Sequence, residues 1–463
     1  MLLYQKSYSR VTIIFITIYI IAISCFLIGR LSSLPNLFIL GIIYLIIRLC
    51  TLSRFKSLIE SGSYIGAQVF FIDFYQIWII LIILAIIILS SISAFYELKS
   101  KRSTSLNIFL ISNLILTIIL TRTFNLFYFF IFFEVAILPI FLIIVGWGYQ
   151  PEKIQAAIVI FFYTLVGSVP LNIFIIYHFS STLNLFFMQG TSYIFNNFYR
   201  SAIAFIILIR FLVKFPLYCL HLWLPLAHVE APVYGSIILA GILLKLGGLG
   251  IVRLTPFINS AELSRLICIV AIRSASLIGF TCLQTTDIKK IIAFSSVAHM
   301  GFSIILICLA LETSIGPRLL VLITHAFRSS GIFFLIYVFY MASNSRNIIL
   351  NSGLLNPLPI FRFIWLILLI SSLGGPPAIN LLVEILCLVN SFTFFAQFFL
   401  SLFIGFIIAR VYHLILYRSL CQGKTSWENL IQRTLPNSNY FYIIGAVHRF
   451  YTVITYTIIR SFF

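Results

Sequence analysis

The chain has 463 residues, 62% of them hydrophobic and only 9% charged, with a mean hydropathy of +1.13. No soluble fold hides that much apolar surface, so a soluble enzyme, a DNA-binding domain and a disordered tail are all excluded. The net charge of +19 does not reopen a nucleic-acid reading, because the basic residues gather in short connections between apolar runs, where cations meet anionic headgroups such as cardiolipin.

Those connections hold Arg54 and Lys56, then Lys99, Lys101 and Arg102, then Lys289 and Lys290. They do not divide between two sides, so charge bias sets no orientation. Cys25, Cys50, Cys219, Cys268, Cys282, Cys308, Cys387 and Cys421 include no C-x-x-C pair. Neither an iron–sulfur run nor a zinc knuckle is signalled, and most fall in apolar stretches as small buried hydrophobes.

A bilayer core of about 30 Å needs about 20 apolar residues per helix. On that template the chain is an all-α polytopic protein with fourteen spans. They lie at 11–30, 33–50, 74–96, 106–121, 123–147, 154–178, 201–224, 232–252, 263–283, 288–312, 317–342, 358–396, 397–418 and 440–460. Lys6 and Arg10 before the first span resemble a signal sequence, yet its length and the many spans behind it favour a retained helix. No Arg- and Ser-rich transit peptide is expected. The runs are continuous rather than alternating, which excludes a β-barrel. Polar gaps at 51–73, 179–200 and 419–439 are too short for a soluble domain.

Two spans are interrupted. The seventh contains Lys214-Phe215-Pro216, with Pro225 beyond. Pro216 has no N–H and its ring crowds the carbonyl of Leu212, so the helix should break beside Lys214. The twelfth contains Gly374-Gly375-Pro376-Pro377, with Glu384 two turns later. Irregular backbone at membrane depth belongs where it is buried in protein or lines a wet cavity, and paired broken helices point to an ion site.

Four ionisable residues lie deep in apolar spans: Glu134, Lys214, Lys245 and Glu384. Each would cost several kcal/mol on an isolated helix, so each should face a partner or water. Two acids and two bases on four spans make a chain of exchangeable protons rather than one salt bridge. Glu134 and Lys214 are expected within ion-pair reach. His221, His228, His299 and His325 lie in or beside the middle spans, and imidazole can accept at one nitrogen while donating from the other. No H-E-x-x-H or similar ligand set appears, so no metal site is expected. Arg273 and Arg328 are also deep. Arg328, one turn after His325, could pair with Glu384 or another acid, or snorkel, and Arg273 has no assignable partner.

The run Val213-Lys214-Phe215-Pro216-Leu217-Tyr218-Cys219-Leu220-His221-Leu222-Trp223-Leu224-Pro225 continues through Ala227-His228-Val229-Glu230-Ala231-Pro232-Val233 to Leu244-Lys245-Leu246-Gly247-Gly248. It resembles the antiporter-like subunits of the mitochondrial proton-pumping NADH:ubiquinone oxidoreductase, respiratory complex I. The A-H-V-E-A-P-V run sets it apart from two members of that family, chains 2 and 5. Thr286-Asp287-Ile288-Lys289, Ser295-Ser296-Val297-Ala298-His299-Met300 and Pro377-Ala378-Ile379-Asn380-Leu381-Leu382-Val383-Glu384 add to the likeness, which is dense from 120 to 400.

The resemblance implies one membrane domain over 1–463, with a repeat core at 120–400 between N-terminal helices at 1–119 and C-terminal helices at 401–463. It implies two inverted five-helix repeats, each with a broken helix, the seventh and the twelfth. The acid matching Glu134 pairs with the base matching Lys214. The base matching Lys245 is the central proton carrier, and the acid matching Glu384 leads to the far side. Histidines matching His221, His299 and His325 lie along the hydrated axis. No chemistry and no cofactor sits on such a chain; FMN, iron–sulfur clusters and quinone belong to partner subunits, and chains 2 and 5 are among its neighbours in the inner membrane. Leu226 replaces a usual Lys and Gln284 a usual Arg. Arg273 and Arg328 stand where neutral residues are usual, and a peptide mass spectrum across either position separates lineage-specific tuning from an organelle codon misread as Arg. The function implied is proton translocation coupled to quinone reduction elsewhere. The rival is a subunit of a multi-subunit cation/proton antiporter without redox coupling.

Overall fold

A computed structural model describes residues 74–97, 103–123, 125–182, 197–254, 261–309, 315–376, 378–394 and 396–423. Eleven of the expected spans fall on them; those at 11–30, 33–50 and 440–460 lie outside the described residues. Regular structure among the described residues is helical, and eight helical stretches are long and apolar enough to cross a membrane.

In chain order the helices are α1 (Phe74–Glu97), α2 (Ser103–Arg122), α3 (Leu126–Val135), α4 (Leu138–Trp147), α5 (Lys153–Thr182), α6 (Asn197–Lys214) and α7 (Trp223–Glu230). Then come α8 (Val233–Leu254), α9 (Ala261–Gln284), α10 (Ile288–Leu309), α11 (Ile315–Ser343), α12 (Pro359–Ser372), α13 (Ile379–Phe394) and α14 (Ala396–Cys421). The expected seventh span thus ends as a helix at Lys214, with α7 beginning only at Trp223, and the twelfth is α12 and α13. The fifth is also divided, as α3 and α4, which the sequence reading treats as continuous. Pro139, the second residue of α4, lacks the N–H that would close a turn onto Val135.

Most of the long helices bury one face and leave an apolar stripe outside. Three differ: α8, α10 and α11 are enclosed almost completely by the others. These three also hold Lys245, His299 and His325, all buried. Enclosure removes the lipid from the energetic problem, and each charged group then needs only a protein partner.

Buried cations tie the ends of the bundle. At one end Lys289 Nζ donates to Val229 O (3.0 Å) and Ala231 O (2.7 Å), joined by Arg346 Nη1 to Val229 O (3.2 Å). Both cap the C-terminus of α7, where free carbonyls and the helix dipole favour positive charge. This corrects the expectation for Lys289, which is buried in protein rather than turned to headgroups, while Lys290 is exposed. At the other end Arg253 Nη1 donates to Thr123 O (2.9 Å), tying α8 to the end of α2.

Candidate functional site

The first break follows from Pro216. Without an N–H there, the Leu212 carbonyl accepts from Leu217 N instead (3.2 Å), which skips a residue and frees Val213 O. Trp223 Nε1 then donates to Val213 O across the break (2.9 Å). Cys219 takes a left-handed φ of 71° within the same turn, a strained conformation that the flanking helices hold in place. Trp223→Phe keeps the ring and removes the donor. It should cost about 1–3 kcal/mol, the price of an unsatisfied buried carbonyl. The readout is the temperature at which the assembled complex dissociates; an unchanged temperature would show that Val213 O finds another donor.

Lys214 ends α6 and is buried. Its Nζ donates to Phe133 O (2.7 Å) and lies 3.5 Å from the centre of the Phe133 ring. That carbonyl is free because Ile137 N bonds Glu134 O (3.1 Å) at the α3–α4 break. The break in one helix therefore supplies the acceptor for the lysine at the break of another.

Glu134 forms its ion pair with Arg210, not with Lys214. Arg210 is fully buried one turn before Lys214 on α6, and its Nη1 also donates to Thr164 O of α5. Lys214 stays near enough to act on Glu134 electrostatically. The expected Glu134–Lys214 pair is thus corrected to a three-member group in which the arginine takes the carboxylate. The guanidinium offers a planar set of donors that a carboxylate matches better than an ammonium.

Lys245 lies just after a π turn at Leu239–Leu243. Leu244 N–H reaches back to Leu239 O, so Ala240 O loses its usual partner and accepts from Lys245 Nζ. The same ammonium stands 2.8 Å from His325 Nδ1 on α11. Two residues further, Gly247 lets α8 press against the first break: a Cβ there would sit 2.9 Å from Phe215 N. Lys214 and Lys245 thus lie beside one close crossing of two backbones.

From His325 the polar groups continue. The ring of His299 on α10 is 6.2 Å away, centre to centre. His299, His325, Ser303, Asn380 and Glu384 line a cavity of about 10 Å³ measured to the centre of a water-sized sphere, about what one water needs. Glu384 accepts from Asn380 Nδ2 (3.4 Å) and from Arg410 Nη2 of α14 (3.4 Å). Arg328 is buried one turn after His325 and acts electrostatically on Lys245, His299, His325 and Glu384. It does not snorkel.

The remaining expected residues are placed as follows. His221 packs inside the first break against Tyr218 and Phe294, with ring centres 5.6 and 6.3 Å away. Pro376 is in the turn between α12 and α13, and Pro377 lies outside the described residues. Arg273 is exposed on the outer face of α9. Arg210, Arg410 and His413 complete the two clusters and escape the sequence reading, although each interrupts an apolar span, the signal that singles out Lys245.

Among known families, residues 123–409 match the transmembrane region described as NADH:quinone oxidoreductase/Mrp antiporter. That description covers both readings drawn from the sequence. NADH-ubiquinone oxidoreductase chain 4 of Ceratitis capitata is 39% identical over 357 residues, 74% of this chain and 78% of that one. Its counterpart in Artemia franciscana is 36% identical over 299 residues, 64% and 75% of the two chains. The chain belongs to the chain 4 family. It is an antiporter-like subunit of complex I and a multi-pass membrane protein. A chain in "Respiratory complex I from Thermus thermophilus with bound NADH" shares the fold, with a TM-score of 0.72 at 19% identity over 96% of this chain and 99% of that one. In chain 4 terms, one charged group gathers at the fifth and seventh spans and a second at the eighth to thirteenth.

Proposed function

We propose that this chain 4 subunit moves protons across the mitochondrial inner membrane within the membrane arm of NADH:ubiquinone oxidoreductase, driven by quinone reduction in partner subunits. The observation that carries the reading is the run Lys245–His325–His299 on three almost completely enclosed helices, continued to Glu384 on α13 by a cavity the size of one water. Lysine, imidazole and carboxylate each exchange a proton without other chemistry, and enclosure keeps the protons from leaking into lipid. Glu134 and Lys214 form the entry side, with His221 at the break between the helices. Fourteen helices arranged as two inverted repeats of five, in a single domain, complete the proposed architecture.

No redox step is assigned to this chain. FMN, iron–sulfur clusters and quinone are assigned to partner subunits, among them neighbours of the chain 2 and chain 5 type, with cardiolipin at the membrane surface. The other reading, a cation/proton antiporter without redox coupling, shares the family description. Blue-native electrophoresis with an NADH-activity stain separates them. The chain should migrate with the NADH-active band; migration in a smaller band without that activity would sink the first reading.

A further inference from the structure

His413 lies on α14, one turn from Arg410, and is 2% exposed. Its Nδ1 is 2.7 Å from Ala409 O. A carbonyl only accepts, so Nδ1 holds the hydrogen and the neutral ring presents Nε2 as a base. That ring stands 5.7 Å from the ring of His299, centre to centre, closer than His299 stands to His325 (6.2 Å). Rotation of the His299 ring about Cβ–Cγ leaves its centre nearly fixed and turns one of its nitrogens towards His413, whose own ring stays held by Ala409 O.

We infer that His413 is a second proton acceptor for His299, a side branch that holds a proton off the route to Glu384. The inference rests on the proposed proton axis and extends it to α14. A proton leaves one nitrogen of protonated His299 and forms an N–H bond at His413 Nε2. His299 becomes neutral, and His413 becomes an imidazolium whose Nδ1–H still donates to Ala409 O. The return step reverses both changes. Glu384, the other acceptor at His299, is engaged by Arg410 and Asn380 and is reached across the cavity. His413 is in ring contact and its tautomer is already set. Arg328 lies near enough to act on it electrostatically, so a proton stored there is repelled and released rather than trapped.

The test uses the assembled complex in sealed inner-membrane vesicles, with His413→Gln, His299→Gln and the double variant. His413→Gln should lower coupled turnover about threefold, less than the roughly 10²–10⁴ of a main-route acid–base group because the route to Glu384 remains, and raise its solvent deuterium isotope effect as that remaining proton transfer becomes more rate-limiting. In the His299→Gln background the same substitution should add nothing. Wild-type turnover in His413→Gln, or a full further loss in the double variant, would overturn the inference. An unimpaired His299→Gln would instead overturn the axis beneath it. His413→Phe keeps the ring volume; if neither His413 variant assembles, His413 is a packing residue and the inference is wrong.

Discussion

Lys245→Ala should leave the complex assembled and NADH-active by stain, with coupled proton transfer reduced about tenfold or more. Positioned acid–base groups commonly contribute about 10²–10⁴ in rate, which sets the scale. Lys245 Nζ is the hinge between a freed carbonyl, Ala240 O, and the imidazole of His325. Removing it orphans both acceptors at about 1–3 kcal/mol each, a loss that three enclosed helices can absorb. No other described side chain is hydrogen-bonded to His325 Nδ1. Lys245→Met fills the stem volume and should be equally impaired, because the missing element is the titratable nitrogen. If the Met variant pumps normally and only the Ala variant fails, packing is responsible. Normal pumping by both would remove Lys245 from the route.

The spans are readable in the sequence because length and apolarity decide them: α1, α9 and α14 match the expected 74–96, 263–283 and 397–418 closely. The break at Pro216 is readable for a similar reason, since a missing N–H acts locally whatever surrounds it. The π turn at Leu239–Leu243 is not readable. Leu-Ala-Gly-Ile-Leu has no residue that demands a wider turn, and the widening is visible only with Lys245 seated on Ala240 O. The partner of Glu134 is not readable: the resemblance points to Lys214, while Arg210 lies four residues earlier on the same helix face. Spacing cannot choose between them. The choice is made by Phe133 O, which the α3–α4 break releases and Lys214 captures. Arg410 and His413 both interrupt the span at 397–418, but their relevance depends on α14 folding back onto Glu384 and His299.

Gly374→Ala should uncouple the complex by moving Glu384. Gly374 ends α12 with φ +66°, the left-handed region that costs a residue with a Cβ about 1–2 kcal/mol. A Cβ there would also land on the Glu384 carboxylate. The backbone is held in that shape by Leu373 N to Leu369 O (2.9 Å) and Gly375 N to Ile370 O (3.0 Å), so the loop cannot step aside freely. The carboxylate has to give way, leaving Arg410 and Asn380 at their long 3.4 Å contacts and withdrawing from the cavity shared with His299. Coupled turnover should fall about tenfold, as for loss of one positioned proton carrier. Gly375→Ala is the control. Its φ is not positive, and its Cβ would meet the Ile370 side chain at 2.7 Å rather than Glu384. It should lower stability and leave the pumping ratio of the surviving complex unchanged. An assembled Gly374→Ala complex that pumps normally would show that the α12–α13 break serves packing alone and that Glu384 does not depend on it.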